Sequence, residues 1–425
     1  MNIKKNDINS TRKVYVCQAG LQLISNFLIL TFSFLLNIVV TKKVNPDSYG
    51  EYRYVVNYLL MVPGVIQLGY VNSAGRVAAI SQENEQSKIS GYAFTVSATL
   101  ALVYVVISIP IIILMNINKV TNITWYAVYL SPFVILSTMQ LAVNNILTGQ
   151  NKIYSLSLFN LIPQSLFFLI VVIQIYIFNY TNALVLIIPY VIINGLSIIY
   201  RVYKCSPAKV KVFQSFIALK EENKRFGFKV YIGSIFGVVV GQVIGLISGS
   251  IIGMQNYGYF SLAFSFVVPF QMLAATFGTV LYRSNVTRKK ISFQLFSFVI
   301  GFSLVSYLIF YILIDYLFII IFSSEYIQAI PYMKGLALYG ITLGLGDFIN
   351  RFLGAKGYGR ILMIGAILTG TVMVVISSFL IPQYGVNGLV YAYISSGTAY
   401  LLSMVIGYVY YLKNIQEIRN YEKNN

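Results

Sequence analysis

The chain has 425 residues; 58% of them are hydrophobic, 10% are charged, and the net charge is +18. Soluble domains carry roughly 25% charged residues, so this composition excludes a soluble globular protein and indicates a polytopic membrane protein. The chain has no histidine, and most of its basic residues lie in short stretches between apolar segments. We therefore expect no metal site, no cofactor and no nucleic-acid partner.

The apolar stretches predict an all-α fold. A helix crosses the hydrocarbon core in about 20 residues, and on that scale the sequence predicts about twelve transmembrane helices in two six-helix bundles. The predicted spans of the first half are 17–40, 54–71, 91–115, 123–148, 153–178 and 182–200. The predicted spans of the second half are 230–252, 257–282, 292–314, 331–353, 360–381 and 385–412.

A basic connector, residues 201–229, separates the two halves. Its only acidic residues are Glu221 and Glu222, whereas Lys or Arg recurs along its whole length. Basic loops between apolar spans face the cytoplasm, so both chain termini are predicted to be cytoplasmic. The expected organisation is a bundle over 1–200, the connector, and a bundle over 230–425. The basic residues left in outer segments are Lys42, Lys43, Arg53, Lys119 and Lys334.

The two halves resemble each other in sequence. A shift of 208 residues carries Tyr49-Gly50 onto Tyr257-Gly258 and Gly149 onto Gly357. Six spans in each half, both starting inside, predict a parallel repeat about an axis along the membrane normal.

Glycine recurs every four residues along the seventh predicted span, from Gly233 to Gly253. Small residues at this spacing let another helix approach closely. Two interpretations stay open: a tight static helix contact, and a seam along which helices slide between transport states.

Two prolines occupy near-equivalent positions in spans two and eight. Pro63 is followed by Gln67, and Pro269 is followed by Gln271. A proline inside a span frees a carbonyl and kinks the helix, and interrupted helices at matching points of two repeats often mark a substrate cavity. An ordinary membrane proline is the alternative.

Ionisable residues inside spans are few, and such residues are costly and usually functional. Asp347 and Arg351 lie four residues apart in span ten, so they share a helix face and can pair. A structural ion pair and a coupling site are the two open interpretations of this pair. Arg76 and Arg283 close spans two and eight at nearly equivalent inner positions; anchoring at the membrane surface is their alternative role.

Sequence motifs of several enzyme classes are absent. There is no phosphate-binding loop, no zinc motif and no serine-nucleophile elbow. Cys17 and Cys205 both fall near the predicted inner face, where thiols stay reduced, so we expect no disulfide. The sequence therefore predicts a protein that is not an enzyme.

Short motifs in a fixed order resemble the polysaccharide biosynthesis proteins, the Wzx-type O-antigen flippases of the multidrug, oligosaccharidyl-lipid and polysaccharide exporter superfamily. The stretch 46–52 is similar to the family's pattern after span one, and 257–260 repeats it before span eight. Leu68-Gly69 followed by Arg76 resembles the family's end of span two, and 384–388 resembles its turn before the last span.

This resemblance implies two bundles around a central, mostly cationic cavity. The implied substrate is an undecaprenyl-diphosphate-linked oligosaccharide, of O-antigen or capsule type, moved from the inner to the outer leaflet of the bacterial inner membrane by alternating access. Anionic lipids, attracted by the basic inner face, and other glycan-assembly membrane proteins are the further expected partners.

A charged headgroup can cross hydrocarbon only with polar partners, and guanidinium groups suit phosphate geometry. We hypothesise that arginines hold the diphosphate, that glutamines contact sugar hydroxyls, and that one acid couples an ion. These candidates are Arg53, Arg76, Arg283 and Arg351, then Gln67 and Gln271, and lastly Asp347.

Three alternatives to a flippase stay open. A cation-coupled multidrug exporter of the same superfamily would need acids in its spans, and the chain has almost none. A membrane-embedded glycan polymerase would need a large outer loop, and the longest predicted one covers only about 315–330. A non-transporting scaffold of a glycan-assembly complex is the third.

Overall fold

The computed structural model describes residues 3–115, 128–285 and 288–424, apart from the side chains of residues 3–20, 23, 111–115, 282–284 and 414–424. Every regular element in these ranges is a helix. The chain divides into two compact units. The first unit comprises Met1–Val44 and Val55–Ile232, and the second comprises Asn45–Tyr54 and Gly233–Asn425.

The first unit contains long apolar helices and ends with the connector. Helix α1 packs against α6, α3 packs against α5, and α4 packs against α5 and α8. Helix α2 starts in residues counted with the second unit. The helices are α1 Ile3–Thr41, α2 Pro46–Ile66, α3 Tyr70–Ile80, α4 Gln86–Met115, α5 Phe133–Gly149, α6 Ile153–Tyr176, α7 Ala183–Lys204 and α8 Val212–Glu222.

The second unit is built around α14, which packs against α11, α12, α13 and α16. Its core includes Phe348 and Phe352 of α14 and Met404 of α16. Two five-residue π-helical turns, Asn223–Gly227 and Ile235–Val239, flank α9. The first of these turns and most of α9 belong to the first unit, which ends at Ile232. The helices are α9 Phe228–Ser234, α10 Val240–Ile252, α11 Met254–Phe264, α12 Val267–Asn285, α13 Phe293–Ile321, α14 Ala329–Ala355, α15 Gly359–Tyr384 and α16 Val386–Asn424.

The expected all-α membrane architecture is confirmed. Within the described ranges, nine helices are long and apolar enough to cross a membrane, and the bent pair α2–α3 makes a tenth if it forms one span. Helix α5 has 17 residues, and the predicted start of its span at 123 lies outside the described residues. Helix α14 is long enough but less apolar than those nine. The number twelve therefore stays a prediction.

Span two is broken rather than simply kinked at Pro63. Helix α2 continues through Pro63 to Ile66, and α3 leaves it at an angle of 70°. In the break, Leu68 and Gly69 have φ of 46° and 81°. Such φ values are strained for leucine and accessible to glycine, so the turn depends on Gly69.

The connector packs onto this break. The Tyr231 hydroxyl donates to the Val65 carbonyl at 2.7 Å, and the Asn223 amide donates to the Leu68 carbonyl at 3.2 Å. These bonds satisfy carbonyls that the broken helix leaves without intrahelical partners. The backbones of Gly69 and Gly227 meet so closely that a β-carbon on either would overlap the other residue. The sequence predicted a hydrophilic connector but not its helical structure or its docking.

A reciprocal contact in the second unit relates the first turn of α2 to that of α11. A β-carbon on Gly50 would overlap the Met254 carbonyl, and one on Gly258 would overlap the Pro46 carbonyl. Pro46 and Gly50 are related to Met254 and Gly258 by the same 208-residue shift. The sequence repeat therefore has a structural counterpart in which equivalent residues contact one another.

Cys205, directly after α7, is expected to be a slow nucleophile. Burial raises the pKa of its thiol, and the nearby cations Lys152 and Arg201 offset this only in part. Because the thiolate is the reactive form, labelling with a maleimide at neutral pH should be slower than for the unfolded chain and should accelerate as the pH rises. Labelling of a Cys17→Ser variant, native and in denaturant, measures this. Equal rates in the two states would contradict the prediction.

Candidate functional site

A cavity of about 370 Å³ lies inside the second unit. Helices α10, α11, α12, α14, α15 and α16 surround it, together with the π-helical turn before α10. Among the described residues that line it, one is acidic and none is basic. Its polar lining comprises Gln242, Gln271, Tyr339, Asp347, Asn350, Thr369, Tyr393 and Tyr400.

The carboxylate of Asp347 is held by two neutral donors. The Gln271 amide donates to Oδ2 at 2.8 Å, and the Tyr400 hydroxyl donates to Oδ1 at 2.9 Å. The Tyr400 hydroxyl itself accepts from the Asn350 amide at 2.9 Å. The two hydrogen bonds to Asp347 fix the orientation of its carboxyl group within the bundle.

Close approach of α12 to α14 positions this network. A β-carbon on Gly344 would overlap the Gln271 carbonyl, and one on Gly340 would press on Val267 and Phe270. Small residues four apart let two helix backbones approach closely, as is common between membrane helices. The contact brings the Gln271 side chain within hydrogen-bond distance of Asp347.

Aromatic rings form one side of the cavity. The Tyr393 ring lies 5.1 Å from that of Tyr339 and 5.2 Å from that of Phe264, centroid to centroid. The Tyr393 hydroxyl donates to the Gly241 carbonyl at 2.8 Å. Gly241 belongs to the predicted glycine stripe. A β-carbon there would lie 3.7 Å from the Tyr393 ring, an ordinary van der Waals distance, so both interpretations of the stripe stay predictions.

The structure brings together two of the predicted site residues, Gln271 and Asp347. The possible ion pair between Asp347 and Arg351 is not formed in the described part of the chain. Arg351 is exposed, and its side chain lies over Gly278 of α12. Asp347 pairs with neutral donors instead, because the helices packed against α14 present Gln271 and Tyr400 to it.

The remaining candidates lie elsewhere. In the first unit, Gln67 is buried at the helix break, and its side-chain oxygen has no hydrogen-bond partner within the described residues. In the same unit, Arg76 pairs with Glu222 at 3.1 Å and stacks 4.4 Å from the centre of the Phe226 ring. Arg53 is half-buried in the second unit, on α2. The side chain of Arg283 lies outside the described residues.

Sequence reasoning missed several cavity residues, although signals were present. Tyr393 and Tyr400 lie seven residues apart and therefore share a face of α16. Gly340 and Gly344 have the small-residue spacing of a close helix contact. Within the described ranges, no group of three or more Cys, Asp or Glu side chains comes together as a metal-ligand set.

Comparison with known proteins gives a family and a fold. A family model described as "Polysaccharide biosynthesis protein" matches residues 18–282. No curated protein sequence matches the chain. At sequence identities of 12–16%, the solved structures that are similar to the chain show the fold alone.

Three such structures cover most of the chain. An inward-facing MATE family multidrug resistance transporter of the MOP superfamily has 13% identity, covers 95% of this chain and 99% of its own, and has a TM-score of 0.67. The lipid II flippase MurJ, in an inward closed conformation, has 16% identity, covers 91% of this chain and 87% of its own, and has a TM-score of 0.69. A MOP superfamily transporter from Pyrococcus furiosus has 14% identity, covers 95% of this chain and 96% of its own, and has a TM-score of 0.56. The chain therefore has the fold of these membrane transporters.

Proposed function

Because the chain belongs to the polysaccharide biosynthesis protein family, we propose that it is a flippase for undecaprenyl-diphosphate-linked oligosaccharide. It would move O-antigen or capsule-type repeat units from the cytoplasmic to the outer leaflet of the bacterial inner membrane by alternating access. The observation that carries this proposal is the family match over more than half of a chain with a transporter fold. Both termini would be cytoplasmic, and anionic lipids and other glycan-assembly proteins would be its partners.

The proposed substrate has two chemically different parts, a diphosphate and an oligosaccharide. Arg53, Arg76, Arg283 and Arg351 are the proposed partners of the diphosphate, because guanidinium groups bind phosphate oxygens in a bidentate manner. Arg76 would have to leave Glu222 to do so, since the two are paired.

The amides Gln67 and Gln271 are the proposed partners of sugar hydroxyls. The side-chain oxygen of Gln67 is buried without a hydrogen-bond partner in the described part of the chain, so it can accept from a hydroxyl. A buried polar group left unsatisfied is costly, and a substrate hydroxyl would remove that cost.

Two sources of energy are compatible with this function. Moving two negative charges outward across a potential of 100 mV releases roughly 4–5 kcal/mol. Asp347 is the proposed site of ion coupling, because it is the single acid among the described residues that line the cavity. A carboxylate held inside a membrane bundle can take up a proton or a small cation on one side and release it on the other.

Arg351 offers a test of the diphosphate role. Replacing it with alanine should lower transport several-fold without unfolding the protein, because its side chain is exposed. Arg360→Ala is the matched control, since Arg360 is also exposed and lies on α15. Surface glycan per molecule of protein measures the effect. Equal glycan in the two variants and the unaltered protein would remove Arg351 from the proposed site.

A second candidate function is a cation-coupled multidrug exporter. The observation that favours it is the cavity itself, in which an acid and several aromatic rings would suit a lipophilic cation. Loss of resistance to cationic dyes in a deletion strain would support this function over the first.

The deciding experiment is deletion of the gene in its own host. The flippase proposal predicts that lipid-linked repeat units accumulate in the inner leaflet while surface glycan is lost and dye resistance is unchanged. Normal surface glycan, with no accumulated lipid-linked sugar, would overturn it.

A further inference from the structure

The cavity beside Asp347 has hydrogen-bonding capacity that the protein itself does not use. We propose that this cavity is a subsite for an uncharged sugar of the substrate, and that it excludes both acidic sugars and the diphosphate. This inference rests on the proposed flippase function and assigns one part of the substrate to one place in the second unit.

The carboxylate of Asp347 has acceptor positions to spare. An ionised carboxylate offers about four lone-pair sites, and Gln271 and Tyr400 use one on each oxygen. One further site on each oxygen can accept from a hydroxyl group. Two hydroxyls on adjacent carbons of a sugar ring present two donors at about the spacing of two carboxylate oxygens, so the pair matches this arrangement.

A free amide on another helix adds to this capacity. Gln242 of α10 lines the cavity; its side chain is exposed, and its amide makes no hydrogen bond to any described residue. An amide carries two donors and an acceptor and can therefore bind a hydroxyl in either direction. A sugar hydroxyl both donates and accepts, so a sugar can satisfy the carboxylate and the amide together.

The aromatic side of the cavity suits the other face of a sugar ring. The rings of Phe264, Tyr339 and Tyr393 pack edge to face in one group. Sugar rings carry apolar C–H groups on their faces, and these pack on aromatic surfaces while the hydroxyls bond at the edge. The volume of about 370 Å³ lies within the usual range for small-molecule sites.

Charge decides which sugars and which part of the substrate fit. No Lys or Arg is found among the described residues that line the cavity, whereas Asp347 contributes a negative charge. A uronic acid or a diphosphate there would place like charges close together in a medium of low dielectric constant, which is unfavourable. An uncharged sugar avoids this repulsion, so the diphosphate has to be bound outside the cavity.

Binding of three lipids to the full-length purified protein in lipid nanodiscs tests this inference. All three lipids have the same prenyl diphosphate. The first carries no sugar, the second carries one N-acetylglucosamine, and the third carries one galacturonic acid. We expect the N-acetylglucosamine lipid to bind at least tenfold more tightly than the other two. Gln242→Leu should reduce this preference several-fold while leaving the affinity for the sugar-free lipid unchanged, which also shows that the variant is folded.

A charge-specific variant separates a binding role from a structural one. Asp347→Asn should tighten binding of the galacturonic acid lipid and weaken binding of the N-acetylglucosamine lipid, because it removes the repulsion along with an acceptor. Asp315→Asn removes the same charge from an exposed position in the same unit and should change the affinity for neither lipid.

The outcomes distinguish the subsite from the function. Equal affinity for all three lipids, or tighter binding of the acidic one, would overturn the subsite and leave the flippase proposal standing. Binding of none of them, with tetraphenylphosphonium bound instead, would overturn both and favour the cation exporter.

Discussion

Replacing Asp347 with asparagine is expected to reduce transport at least tenfold while the protein still folds. Asparagine has nearly the same shape and keeps an acceptor for the Tyr400 hydroxyl, but it cannot carry a charge. The substitution removes both ion uptake and one of the two carboxylate oxygens that accept hydrogen bonds. Surface glycan in a strain that carries only the variant, normalised to protein level, measures the effect.

The control for this variant is Asp315→Asn. Asp315 is also acidic and lies in the second unit, but it is exposed and pairs with Lys334 at 2.7 Å, away from the cavity. That variant should transport normally. If Asp347→Asn and Asp315→Asn both supported normal surface glycan, the cavity would have no part in transport.

Replacing Gly69 or Gly227 with alanine should destabilise the first unit severely. Gly69 has φ of 81°, and a β-carbon there would overlap the Gly227 backbone; one on Gly227 would overlap the Gly69 carbonyl and the Ser73 hydroxyl. Backbone strain costs about 1–3 kcal/mol, and overpacking costs about as much again. We expect the thermal unfolding midpoint of the detergent-purified protein to fall by several degrees.

Gly301→Ala is the matched substitution. Gly301 lies within α13, and a β-carbon there would meet nothing within 4 Å. Alanine favours helix over glycine by about 1 kcal/mol, so the midpoint should stay or rise. An unchanged midpoint for Gly69→Ala would show that the connector does not pack on the helix break as described.

Much of the helical architecture could be predicted because it depends on local composition. A stretch of about 20 apolar residues has few alternatives to a membrane helix, so the sequence locates most of the helices within a few residues. The predicted ends of the helices were less accurate than their positions. The outer segment expected at about 315–330 is shorter, since α13 continues to Ile321 and α14 begins at Ala329.

The partners of the site could be predicted only in part. Asp347 and Gln271 were identified because polar residues inside spans are unusual. Their contact, and the role of Tyr400, depend on how α12 and α16 pack on α14, and tyrosine is too common in this chain to single out. Helix spacing alone pointed to Arg351 as the partner of Asp347, but packing supplied nearer donors.

The connector is the clearest case of a tertiary effect. Its charge predicted a solvated loop, yet Leu219 is buried, and Phe216 packs edge to face on Tyr70 of α3. Apolar residues on one side of α8 cover α3 and α4, while Lys220 of the same helix is exposed. A charge count over the whole connector averages over its segments and so hides the apolar side of α8.

Reconstitution gives the most direct test of transport. Purified protein in liposomes, with fluorescent prenyl-diphosphate-linked N-acetylglucosamine in both leaflets, is exposed to a membrane-impermeant enzyme that cleaves the sugar. The flippase account predicts that all of the labelled lipid becomes accessible over time, and that the half starting in the inner leaflet becomes accessible at least tenfold more slowly with Asp347→Asn protein. Accessibility that stays near half with the unaltered protein would contradict the account.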